Sequence, residues 1–136
     1  MDEDLQRFVD AQARVIDHVR AELKAGEKKS HWMWFTFPQI HGLGKSATAH
    51  RYAIASLDEA RAFLAHPVLG SRLRECTRTV LAVNGKSAQA IFGTPDDLKF
   101  RSCMTLFAHA SAEPLFRQAL EKYFGGEEDP ETVKRI

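Results

Sequence analysis

The chain is predicted to be mainly α: a single compact multi-helical domain with a Trp-rich, irregular or short extended segment packed between its helices. Apolar residues recur at helical spacing through most of the sequence, and Gly, Pro, Ser and Thr punctuate these stretches where helix ends require them. Strand-like alternation is confined to one short segment around Trp32 and Trp34. With 136 residues, 44% of them hydrophobic and 27% charged, the chain suits one domain burying about two-thirds of its unfolded surface.

The first helix is read from Leu5, Phe8, Ile16, Val19 and Leu23, which share one face and stop before Gly26. Gln12 lies within this stripe, so its amide must bond to nearby backbone or face a wet cavity. Lys24 to Lys29 is a polar connector. In the Trp-rich segment that follows, alternation of Trp32 and Trp34 with Met33 and Phe35 favours extended backbone. Pro38 and the Gly42-Leu43-Gly44 turn then interrupt regular structure, and Lys45 to Tyr52 reads as a loop or brief turn. Ser56-Leu57-Asp58-Glu59 is a capping box that opens a helix from Leu57 to about Ala65, stopped by His66-Pro67. Leu69 to Val83 forms the next helix, with Leu69, Leu73, Cys76 and Val80 on one face and Asn84-Gly85 closing it. Thr94 is the expected N-cap of a further helix, with Pro95 in its first position and Asp96 and Asp97 in its first turn. Its core stripe is Phe100, Cys103, Met104 and Phe107. The last long helix runs from Pro114 to Phe124, ahead of Gly125-Gly126, and Asp129-Pro130 can start one more turn.

Composition narrows the function classes. A formal net charge of +1 provides no overall field to draw nucleic acid or an anionic membrane to the chain. An acidic N-terminus followed by an amphipathic pattern reads as neither signal peptide nor membrane span, so the expected location is cytoplasmic. Cys76 and Cys103 lack metal-type spacing and read as free, reduced thiols, with Cys76 as core filler. The histidines show no HExxH or other compact ligand spacing, so no metal and no cofactor are expected.

The segment SHWMWFTFPQIHGLGKS, Ser30 to Ser46, holds both tryptophans beside His31, Gln39, glycines and Lys45. Costly aromatics next to hydrogen-bonding groups and a glycine turn suggest a cleft with a flat, stackable wall. Gly42-Leu43-Gly44-Lys45-Ser46 resembles the end of a phosphate loop, but the earlier glycine would fall at Gln39. A glycine turn with Lys45 and Ser46 can hold phosphate without that fold, and a solvated surface turn explains the same residues. Lys99 and Ser102 share a helix face in Lys99-Phe100-Arg101-Ser102, and an ion pair of Lys99 with Asp96 is the structural alternative. His31 opens the aromatic segment and suits acid-base chemistry or phosphate binding, or simple packing beside Trp32.

With Arg7 to Gln12, His66 to Gly70, Ile91 to Gly93 and Lys99 to Phe107, this segment resembles a bacterial family of unknown function whose members have often been labelled calpastatin. That label implies a long disordered protease inhibitor, which an aromatic-rich globular pattern does not resemble. The family in turn is distantly similar to the NADAR superfamily, through an early helix with Gln12 and a later helix with Lys99 and Met104. That resemblance implies cleavage of N-glycosidic bonds in phosphorylated ribosyl or ADP-ribosyl compounds. A base would stack on Trp32 or Trp34, and Lys45, Ser46 or Arg101 would hold phosphate. Lys99 would stand near the anomeric carbon, stabilising charge or attacking the opened sugar. Asp96, Asp97 and Glu59 are candidates to activate water, although helix capping explains each. The competing class is a non-catalytic small-ligand or protein-interaction module. Exposure separates them: a bare aromatic patch marks an interface, a walled cleft marks a small ligand, and full burial marks core.

Overall fold

The computed structural model describes residues 2–136. The stretch expected as one helix forms two, α1 (Asp2–Ala13) and α2 (Ile16–Ala25). They part at Val15, whose φ of −129° and ψ of −3° leave the helical region. The apolar stripe itself runs on unbroken, but α1 packs against α3 while α2 packs against α6. A bend lets each half face its own partner. Gly26 ends α2 in the left-handed conformation, φ +69°, where a side chain would be strained.

The Trp-rich segment is not extended. It forms a single helical turn, α3 (Met33–Thr36), closed by bonds from Thr36 N to Trp32 O at 3.2 Å and Phe37 N to Met33 O at 3.1 Å. This turn buries Met33 and Thr36 on one side and leaves Trp34 and Phe35 half-buried on another. Over four residues, an alternating pattern and one helical turn cannot be told apart by periodicity. The stretch from Lys45 to Tyr52, expected as a loop or brief turn, contains α4 (Ala47–Arg51), capped by Ser46 Oγ, which accepts from Ala49 N at 3.0 Å. A parallel bridge between Ile40 and Ile54 ties the two ends of this excursion together.

The capping box opens α5 (Leu57–Ala65) as expected, with Ser56 Oγ accepting from Glu59 N at 3.2 Å. Glu59 reaches back one residue further than a standard box, to Ala55 N at 3.0 Å. The helix expected at 69–83 is α6 (Leu69–Leu81), its first amides held by His66 Nδ1 at 3.1 and 3.3 Å. A short α7 (Ala88–Phe92), absent from the sequence reading, starts at Ser87, whose Oγ accepts from Ala90 N at 3.1 Å. α8 (Asp96–Ala110) begins one residue later than expected: Pro95 is the flanking residue, and Thr94 does not cap it. α9 (Pro114–Phe124) and α10 (Pro130–Lys134) fall where proline and glycine punctuation place them.

α8 is the centre of the fold. The expected stripe Phe100, Cys103, Met104 and Phe107 is buried, and so are Ser102, Thr105, Leu106 and Ala108. A helix buried nearly all round needs neighbours on several sides, and α5, α7, α9 and α10 supply them. Phe37, from the Trp-rich segment, meets Phe100 at 5.1 Å and Phe92 at 5.8 Å, both edge to face. That segment is thereby anchored in the core from one side while its other side stays near the surface. Among the described residues, no helix is long and apolar enough to cross a membrane.

Gln12 is buried within the α1 stripe and donates from Nε2 to Phe35 O at 2.7 Å, while Arg72 reaches its Oε1 at 3.4 Å. Its partner is therefore the backbone of α3 across the fold. Gln12→Ala is expected to lower unfolding stability by about 1–3 kcal/mol, since it orphans a carbonyl in the interior. Urea denaturation would check this, and an unchanged midpoint would contradict it.

Candidate functional site

A cleft opens where α3, the Gly42–Gly44 turn, α4 and the first turns of α8 meet. Met33, Phe37 and Ile40 form its apolar floor, each nearly fully buried. Trp34 and Tyr52 give it aromatic walls, and Gln39, His50 and Lys99 supply polar groups. It encloses about 380 Å³ including its mouth, but only about 20 Å³ is wide enough for the centre of a water molecule. As it stands it therefore holds one or two waters, and a larger ligand requires the glycine turn to move away from α4. The turn now packs closely: a Cβ on Gly44 would meet that of Ala49 at 2.4 Å.

Lys99 is the charged group of the cleft. Its ammonium lies 5.3 Å from the centre of the Trp34 ring and 3.4 Å from Asp96 Oδ1, the ion pair expected from the spacing. Asp96 is shared, because its Oδ2 also holds Lys28 at 2.9 Å. Lys28 in turn lies 5.0 Å from the Trp32 ring and donates to Ser30 O at 2.6 Å. One carboxylate thus positions two cations, each over a different tryptophan. Asp96 acts on the cleft through Lys99 and is not part of its lining.

The two tryptophans have separate fates. Trp32 is 0% exposed, packs beside Phe37 with ring centres 6.2 Å apart, and donates Nε1–H to Glu22 Oε1 at 2.9 Å. Glu22 also accepts from Lys29 N at 2.7 Å, Ser30 N at 3.0 Å and Ser30 Oγ. Burial alone would raise this carboxyl, but these donors outweigh it and hold it at about 2. Trp32 is core, and Trp34 is the wall of a cleft.

Of the residues singled out by sequence, Trp34, Gln39 and Lys99 come together in the cleft. His31 is exposed outside it, and Lys45 and Ser46 are exposed on the loop between Gly44 and α4, with Ser46 occupied in capping. Gln12 is enclosed behind Phe35. Arg101 and Ser102 turn toward the C-terminal segment. Arg101 donates to Glu128 O at 3.2 Å and lies 3.8 Å from Asp129, and Ser102 Oγ donates to Asp129 Oδ2 at 2.9 Å. Arg101 is about 200° around the helix from Lys99, so the two cannot face one cavity. Ser102 follows it because Asp129, the cap of α10, draws its hydroxyl. The sequence reading missed His50 and Tyr52. Recognising Ser46 as an N-cap would have made the next residues a helix and placed Ala49, His50 and Ala53 along one side.

Both thiols lie outside this chemistry. Burial pushes Cys76 up to about 12 and raises Cys103 well above the ordinary thiol range, so neither offers a thiolate near neutral pH. Among the described residues, no group of three His, Cys, Asp or Glu side chains could hold a metal ion.

Residues 2–136 match the model of a family described as "Protein of unknown function (DUF1810)". The chain belongs to the DUF1810 family. It is also similar to the crystal structure of the conserved hypothetical protein Rv1873 from Mycobacterium tuberculosis, at 57% sequence identity and a TM-score of 0.95. That alignment covers 96% of this chain and 94% of the other, so the architecture is shared over nearly the whole of both chains. No curated protein matches the chain. The function of this DUF1810 protein has to be argued from the cleft itself.

Proposed function

We propose that the cleft binds a small phosphorylated ribosyl compound, and that Lys99 acts on its N-glycosidic bond, as the resemblance to the NADAR superfamily implies. The observation that carries this reading is Trp34, a half-buried indole that walls a cleft and faces a lysine 5.3 Å from its ring centre. A protein-binding patch would present its aromatics bare, whereas here Trp32 is buried and Trp34 lines a cavity. Stacking on an aromatic wall contributes ~1–3 kcal/mol per base, enough to orient a planar group. Gln39 adds an amide that can pair with a base edge or sugar hydroxyl.

In the glycosidic step, the bond between the anomeric carbon and the base nitrogen breaks and its electron pair leaves with the base. A water oxygen bonds to the carbon. Lys99 donates a proton to the leaving nitrogen, and the His50 imidazole takes the proton from water. Among the described residues no carboxylate lines the cleft, which makes His50 the group to test in that role.

A thermal-shift screen with NAD, ADP-ribose, ribose 5-phosphate and mononucleotides tests binding, and chromatography of the released base tests turnover. The melting temperature should rise saturably with a ribosyl phosphate, by the equivalent of ~2.7 kcal/mol at a hundredfold excess over Kd. Trp34→Ala should abolish the rise. Lys99→Ala should keep binding and lose about 10²-fold or more in turnover. A rise that survives Trp34→Ala, or no rise with any of these compounds, refutes the reading.

A further inference from the structure

A second cavity lies on the far side of Tyr52, between the C-terminal ends of α1 and α4. Tyr52 lines both cavities, and its edge contact with Phe35, 5.2 Å between ring centres, forms an aromatic base for the second. Around that base stand Arg7, Arg14 and Arg51, with Asp10 as the single carboxylate among the described residues. About 270 Å³ of it is wide enough for water, so unlike the cleft it accommodates a hydrated anion without rearrangement.

Among the described residues that line it, the charges are unbalanced. Arg7 is answered by Glu59 at 3.4 Å and is committed to backbone, donating to Arg51 O at 2.7 Å and Ala53 O at 2.9 Å. Its role is to fix the chain that carries Arg51 and Tyr52. Asp10 already accepts from Gln6 at 2.9 Å. That leaves the exposed guanidiniums of Arg14 and Arg51, the latter 5.6 Å from the Tyr52 ring centre, in no ion pair among the described residues. The segment that supplies Phe35, Arg51 and Tyr52 contains no Asp or Glu between Glu27 and Asp58. A cation at the end of a short helix such as α4 is favourable by itself. Helix ends do not, however, account for two guanidiniums converging with an aromatic base on a roomy, underneutralised basin.

We infer that this basin is a phosphate subsite, holding the phosphate of a small ester whose planar ring enters the neighbouring cleft across Tyr52. This rests on the ligand reading of the cleft, and the two can fail separately. The test is a ¹H–¹⁵N correlation titration of the full chain with pyrophosphate and then with adenosine 5′-monophosphate, at constant ionic strength. Pyrophosphate should give saturable shifts confined to the amides of Arg14, Arg51, Tyr52 and their neighbours. Arg14→Ala/Arg51→Ala should weaken it at least about tenfold, since charge-assisted pairs are lost, while its spectrum shows the fold intact. Trp34→Ala should leave pyrophosphate binding unchanged and weaken the mononucleotide, and Lys99→Ala should leave both bound. If the mononucleotide binds no better than pyrophosphate and ignores Trp34→Ala, the basin stands and the reading of the cleft fails. Shifts spread over every basic residue, or binding retained in the double variant, overturn the subsite. A short single-stranded oligonucleotide that binds far more tightly than the mononucleotide would also overturn it, replacing a small ester with nucleic acid.

Discussion

Trp32→Ala is expected to lower unfolding stability by about 3–5 kcal/mol, whereas Trp34→Ala, two residues away, should cost about 1 kcal/mol or less. The first indole is completely buried, so its loss removes apolar contact and leaves a void between Phe37 and the end of α2. It also strands Glu22, which loses the Nε1–H donor. The second indole is half-exposed on the cleft, where water can fill the space it leaves. For a domain of this size the first change corresponds to a fall in melting temperature of roughly 10–20 °C. Thermal unfolding of the two variants beside the parent decides the matter. Equal losses would mean that the tryptophans share one role, and the division between core and cleft would be wrong.

Acidification should remove the stability that Glu22 provides, and only within a defined window. The folded carboxyl titrates at about 2 against an ordinary 4.5, because the amides of Lys29 and Ser30, the Ser30 hydroxyl and the Trp32 indole all donate to its charged form. A group depressed on folding stabilises fully above its unfolded value, and that contribution is lost as pH falls through the folded one. The loss therefore begins near pH 4.5, is complete below about 2, and amounts to about 3 kcal/mol at most. Glu22→Ala at neutral pH should cost about 2–4 kcal/mol by leaving those donors without an acceptor. Glu22→Gln should cost less and flatten the unfolding curve between pH 4.5 and 2. Parent and Gln variant curves that run parallel through that interval would show that the network does not hold the charge.

These two expectations meet at one structural device. Glu22, at the end of α2, ties down the connector and the first residue of the aromatic segment, and Lys28 and Asp96 extend that anchor to Lys99. The cleft is thus supported from behind by a buried tryptophan and a chain of charges. Substitutions at Glu22 should disturb ligand binding only as far as they unfold this support.

Local chemistry was legible at the helix ends. Ser56 before Leu57, Pro114 before a periodic run, Asp129-Pro130, and glycine after α2 and α9 each act within a few residues, so their effect can be read without knowing the fold. The break at Val15 was not legible, because the stripe from Leu5 to Leu23 keeps its period while its two halves answer to different neighbours. α3, α4 and α7 each span only four or five residues, too few for periodicity to separate a turn of helix from extended chain or loop.

The sequence by itself determined that the chain is mainly α, where most of its long helices begin and end, and that Ser30 to Ser46 is unusual in its chemistry. Only the tertiary structure decided which of those unusual residues meet. It sent Trp32 to the core and Trp34 to the cleft, turned Arg101 and Ser102 to α10, and brought in His50 and Tyr52. The physical reason is that capping and periodicity act over one or two turns. The face a side chain presents depends on which distant helix, amide or carboxylate offers it a better contact than water.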